Sequence, residues 1–209
     1  LFRKGSLSKI ISEIKNNIEN KTLIFYTNGL LGSRKSQTYS NFNDFMYNLS
    51  YWSSWSNGFN IWKSEFDKID KNLKLNKLFP HTSLFLTQHQ AKLFCINDNL
   101  LFDVQRIPKR GGHNKFEAFT IEYPSLLDEC CKKGHISTKC KKHILFGIMV
   151  QFLPSLLFNK YIIRIETFDD TGFRNNLKKY YPSYAYWLVL ISVLGVPFRL
   201  FCRKLKNKR

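Results

Sequence analysis

Thr22-Leu23-Ile24-Phe25-Tyr26-Thr27, running directly into Asn28-Gly29-Leu30-Leu31-Gly32-Ser33-Arg34-Lys35-Ser36, is the stretch on which a reading of this chain turns. Its first six residues are a continuous apolar, β-branched and aromatic run, short and without alternation, which predicts a strand buried on both faces. Upstream, residues 6–19 place Leu7, Ile10, Ile11, Ile14 and Ile18 at helical spacing, with Ser6 or Ser8 able to cap the start. Helix, short polar turn and buried strand make half of a layered α/β unit. A glycine loop at the carboxyl end of a parallel strand is where open α/β sheets place ligands. This one has no Gly-Lys pair at phosphate-loop spacing and no dinucleotide fingerprint. It reads as a basic contact loop carrying Arg34 and Lys35, with a plain turn as the alternative.

Working outward, residues 41–50 form a second short helix through Phe42, Phe45, Met46 and Leu49. Tyr51 to Lys63 then holds Trp52, Trp55 and Trp62, three of the four tryptophans, with Ser, Asn and Gly between them. No clean period results, so the segment is irregular, and such a segment needs a scaffold beneath and usually a partner above. A charged amphipathic stretch follows over 63–77 and is closed by Pro80. Ser83 to Thr87 reads as a strand, and 91–95 or 99–104 as a third. Two apolar blocks, Ile144 to Phe158 and Tyr184 to Phe198, are fifteen residues each. A membrane-spanning helix wants about twenty, so buried core ranks ahead of a span. The expected organisation is an α/β core with the Trp segment over 1–100, a basic insertion with a Cys/His cluster over 101–143, and apolar core elements with a basic tail over 144–209.

Net charge is +18, from 33 Lys and Arg against 15 Asp and Glu, which makes a polyanion the expected partner. Nucleic acid ranks first and an anionic membrane surface second. Basic residues flank Pro108 and the Gly111-Gly112 pair, and the chain closes on a basic arm. The residues expected to meet RNA are therefore Arg34, Lys35, Arg106, Lys109, Arg110, Lys115, Arg203, Lys204 and Lys206 for phosphate, with Trp52, Trp55 and Trp62 for stacking.

An odd count of five cysteines argues against a secreted disulfide framework. Cys131, His135, Cys140 and His143 supply the two sulfurs and two nitrogens that a structural zinc takes. Their spacing matches no standard finger, and small buried Cys beside surface His is the reading that ranks ahead. His81, His89 and His113 lack a carboxylate and nucleophile at a telling spacing, and Asp128-Glu129 and Asp169-Asp170 are adjacent pairs. No enzyme is read here, and no small-molecule substrate. Only three alanines stand among abundant Asn, Lys, Ile, Phe and Tyr, the residues of A/T-rich codons, which is associated with a mitochondrial coding source. A chain opening on Leu1 is expected to be a fragment, a processed form or a product of unusual initiation.

The order of helix, buried strand ending in Phe25-Tyr26-Thr27, basic loop, short helix and Trp-bearing segment resembles the small-ribosomal-subunit protein two family of bacterial or organellar type. There a strand ending in Gly-Thr-Lys precedes an Arg-Trp-Leu-Gly-Gly-x-Leu-Thr-Asn-aromatic signature, whose places Trp55, Gly58, Phe59 and Trp62 would take. Asn57 stands for the first of the two glycines, and Gly-Thr-Lys is reduced to Thr27-Asn28. Leu194-Gly195-Val196-Pro197-Phe198 is similar to the Leu-Gly-Ile-Pro-Val that opens a later strand of the family, without the Val-Asp-Thr-Asn that follows it there. The resemblance implies a Rossmann-like layered parallel sheet with helices plus a divergent insertion, and no enzymatic activity. It also implies a place in the small subunit of a mitochondrial ribosome in the matrix, with ribosomal RNA and neighbouring ribosomal proteins as partners. From the apolar blocks, the rival is a membrane-anchored subunit of an organellar respiratory complex.

Overall fold

The computed structural model describes residues 1–55, 58–103 and 114–208, the last six by backbone alone. Helix dominates, with one small mixed sheet, and the chain divides into two compact units.

The first unit comprises Leu1–Arg106 and Lys132–Cys140. Its sheet has β1 (Leu23–Tyr26), β2 (Ser36–Tyr39) and β3 (Phe94–Asn97) in the order β1-β3-β2. The first pair is parallel with Leu23 opposite Phe94, and the second antiparallel with Ser36 opposite Asn97. Every residue of β1 is buried, as the continuous apolar run predicts, and so is every residue of β3. Alternate side chains go to opposite faces. Ile24, Tyr26 and Cys95 join Leu101 in one cluster, onto which α1 (Ser6–Asn16) packs through Ile10. Phe25 and Phe94 meet Phe42 and Phe45 of α2 (Phe42–Leu49) and Phe85 on the other face, with ring centroids 5.2–6.0 Å apart. Only part of the α1 apolar stripe is used, since Leu7 and Ile11 are exposed, as is Ile18 in the turn beyond the helix.

The amphipathic stretch at 63–77 is helical for one turn only, α3 (Lys63–Phe66). Beyond it, the side chains of Asp70 and Asn76 accept from the backbone N–H groups of Asn72, Leu78 and Phe79, a local competition that ends helices. The strand expected over 83–87 is instead helical, falling in α4 (Pro80–Leu86) and the 3-10 turn that follows it at Thr87–Gln90. Pro80 begins the helix, at the first position where a missing N–H is harmless, and the run Thr82, Ser83 and Phe85 is buried on a helical face.

The second unit comprises Ile107–Cys131 and Lys141–Arg209. It contains α5 (Lys115–Glu117) and α6 (Tyr123–Lys132), joined by a π-helical turn at Ala118–Glu122. Next, α7 (Thr138–Gly147) and α8 (Leu153–Leu157) lie in one 25-residue helical run, Thr138–Ile162. Then come α9 (Phe173–Tyr180), α10 (Ala185–Val193) and α11 (Val196–Lys208). Both apolar blocks are thus helical. The 25-residue run passes Pro154 through a π-helical turn at Ile148–Phe152. Pro154 has no N–H to give the Val150 carbonyl four residues back, and the Arg199 guanidinium of α11 donates to that oxygen at 2.7 Å. Among the described residues this run is the one single helix long and apolar enough to cross a membrane, with mean hydropathy 1.3 and half of its apolar window buried inside the protein; α10 and the start of α11 reach that length only if the pair, bent by 54°, is taken as one span.

Candidate nucleic-acid interface

The loop from Asn28 to Lys35 is built around a carboxylate that the sequence did not single out. Asp98 follows β3 directly and is fully buried. It accepts from the Thr27 hydroxyl at 2.5 Å, from the Leu31 and Arg34 N–H groups at 3.1 Å, and from the Ser33 N–H and hydroxyl at 2.7 and 3.1 Å. Burial alone would raise this carboxyl. The hydrogen bonds from Thr27, Arg34, Leu31 and Ser33 outweigh it and hold Asp98 below the ordinary carboxylate range. Backbone donors that would cradle a phosphate in a nucleotide-binding loop are here satisfied by a side chain of the same unit. What the loop offers outward is Arg34 and Lys35, both exposed.

Asn28 fixes the other side. It takes a left-handed conformation at φ 52°, and its amide receives from Leu101 and Phe102 N–H and donates to the Phe102 carbonyl. The Asn-Gly turn signal and an acid directly after a buried strand were both present in the sequence. Only the pairing of β1 with β3 brings Thr27, Asn28 and Asp98 to one sheet end.

The Trp segment has the scaffold it needs. Gly58 to Asn60 lines the free edge of β1: Phe59 bridges Phe25, Gly58 accepts from Tyr26 N–H, and Asn60 exchanges bonds with the Ile24 backbone. Trp62 donates its indole N–H to the Thr22 carbonyl at 2.9 Å, and Trp52 lies between Tyr51 and Trp55 at 4.8 and 5.8 Å. Both are half-buried, so of the three rings only Trp55 is exposed.

Other expected contacts are distributed differently. Lys115 pairs with the buried Glu166 at 2.9 Å and covers the Phe168 ring at 4.6 Å, so its ammonium serves the second unit's interior. Arg106, Lys109 and Arg110 lie outside the described residues, as do the side chains of Arg203, Lys204 and Lys206. The backbone of that basic tail is helical to Lys208.

For the Cys/His set, His135 and Cys140 belong to the first unit, Cys131 and His143 to the second. His135 stacks on His89 with centroids 3.5 Å apart, and buried Cys140 points its thiol at the Asn43 carbonyl. Among the described residues no group of three or more His, Cys, Asp or Glu is gathered as a metal would need. Burial, then the charge of His89 and Lys133, lowers His135; burial lowers His143.

No family model, curated protein or solved structure matches this chain. The case for function therefore rests on charge and geometry.

Proposed function

We propose that this chain is a structural, non-catalytic component of the small subunit of a mitochondrial ribosome, binding ribosomal RNA and neighbouring ribosomal proteins in the matrix. One observation carries the reading: a basic loop held rigid by Asp98 at the carboxyl ends of a parallel strand pair, with its cations outward, in a chain of net charge +18. In this reading the parallel β1–β3 pair with helices on both faces is the remnant of a Rossmann-like layered sheet. Arg34 and Lys35 contact phosphate and Trp55 stacks on a base or ribose. No cofactor is required; a structural zinc on Cys131, His135, Cys140 and His143 would be an addition to it.

Sedimentation of a detergent-free organelle lysate tests this. Co-migration with the small ribosomal subunit, released by high salt, is expected, because phosphate contacts weaken steeply with ionic strength. Absence from the subunit peak at low salt would end the ribosomal reading. In purified form, Arg34→Ala and Lys35→Ala should each weaken RNA binding and lower the salt slope by about one.

A further inference from the structure

Trp187, Ile191 and Leu194 stand at the centre of an apolar surface that the RNA reading does not use. With Tyr184, Phe198 and Phe201 they recur at alternating intervals of three and four along α10 and α11, and all six are more than half exposed. Leu194 reaches 82%. The opposite face is occupied, since Ala185, Val189 and Val196 are buried in the second unit. From Ala185 to Val193 only Ser192 is polar, so α10 is apolar all round with one side packed and the other uncovered. A helix of that kind is found in a protein core or against lipid.

Charge selects between occupants. From Thr171 to Arg209 there are nine Lys and Arg and no Asp or Glu, half of the chain's net charge. Arg174, Lys178 and Lys179 on α9 are exposed, and Arg174 lies over the Tyr186 and Trp187 rings at 5.2 and 5.8 Å. A second copy would bring two such cationic segments together with no acid to pair them. Ile191 and Leu194 at the centre of the patch offer RNA neither charge nor a ring to stack on. An anionic bilayer surface answers both features, taking aromatic and aliphatic side chains into its interface and cations at its headgroups.

We propose that the α9–α11 segment docks peripherally on an anionic membrane surface through Trp187, Ile191, Leu194 and Phe198, with Arg174, Lys178 and Lys179 at the headgroups. It lies on the bilayer and does not cross it. The nine residues of α10 extend about 14 Å, against a hydrocarbon core of about 30 Å. A 54° bend separates α10 from α11, and one side of the pair is engaged by the protein. The inference does not depend on the ribosomal reading.

The test uses the full, ribonuclease-treated chain floated with vesicles of phosphatidylcholine alone or with roughly one-third phosphatidylserine. Binding to the anionic vesicles is expected, and weak or no binding to the neutral ones. Ile191→Asp/Leu194→Asp should reduce partitioning at least about tenfold, as should Lys178→Glu/Lys179→Glu, with circular dichroism unchanged. Brominated lipid should quench Trp fluorescence in the native chain, and Trp187→Phe, which keeps the apolar face, should remove the quenched component. Three results would overturn the proposal: no flotation with anionic vesicles, quenching that persists in Trp187→Phe, or a dimer that forms without lipid and dissociates in Ile191→Asp/Leu194→Asp.

Discussion

At Gly58 a single hydrogen atom decides whether the Trp segment can lie on the sheet. A Cβ there would sit 2.6 Å from Cε1 of Phe25, whose ring is fully buried and held by Phe59 and Phe85 at 6.3 and 5.5 Å. The ring has nowhere to move, so Gly58→Ala should destabilise the chain by about 1–3 kcal/mol, read as a lower urea midpoint. An unchanged midpoint would mean that the segment is not seated on Phe25. Asp98 makes the complementary case. Asp98→Asn replaces an acceptor of five hydrogen bonds with a group that faces the Ser33 and Arg34 donors partly with its own N–H, at a cost of about 2–3 kcal/mol. Since the folded carboxyl is held low, its contribution is full above its ordinary value of 3.8 and is lost as pH falls through the folded value. The native acid-unfolding limb should therefore be steeper than that of Asp98→Asn, by urea titration across the acid range. Asp98 was not singled out in the sequence and Gly58 only through the family resemblance, because what each does depends on a strand remote in the chain.

Elements were legible where one local rule governed them. The β1 run, α1 and α2 follow from periodicity, and Asn41 caps α2 by accepting from Asp44 N–H at 2.8 Å. They failed where two rules competed: the apolar Ser83–Thr87 run satisfies a strand pattern, but Pro80 and the Asn76 side chain fix a helical start before it. The passage of a helix through Pro154 was not legible at all, since the group that compensates it, Arg199, is far along the chain. That arrangement gives a test by double-mutant cycle. Arg199→Leu leaves the Val150 carbonyl short of a donor and should cost about 1–3 kcal/mol. Pro154→Ala restores a helical N–H to the same oxygen, so Arg199→Leu should cost less in that background, with a coupling of about 1 kcal/mol. Additive thermal-denaturation effects would show that Arg199 and Pro154 do not share this carbonyl.

Across the whole molecule, the division into units was hidden in the sequence because Lys132–Cys140 returns to the first unit after a segment of the second. His135 of that returning segment stacks on His89, and Ser137 beside it donates its N–H to the Asn43 side chain at 2.7 Å. The titration of His135 should be visible in global stability. Burial and the neighbouring positive groups lower His135, and burial lowers His143. Folding thus favours the neutral imidazoles. Their contribution is complete above the ordinary value of 6.5 and is lost as pH falls through the lower folded values. Each added proton also enlarges a net charge that is already +18, and that self-repulsion is screened by salt while the desolvation of a half-buried imidazole is not. At high ionic strength the urea midpoint should still decline between about pH 6.5 and 5, and His135→Asn should flatten that decline while leaving the native midpoint near neutral pH little changed. If the decline disappears in salt, or persists undiminished in His135→Asn, long-range repulsion rather than the stacked pair governs the mild-acid stability of the chain.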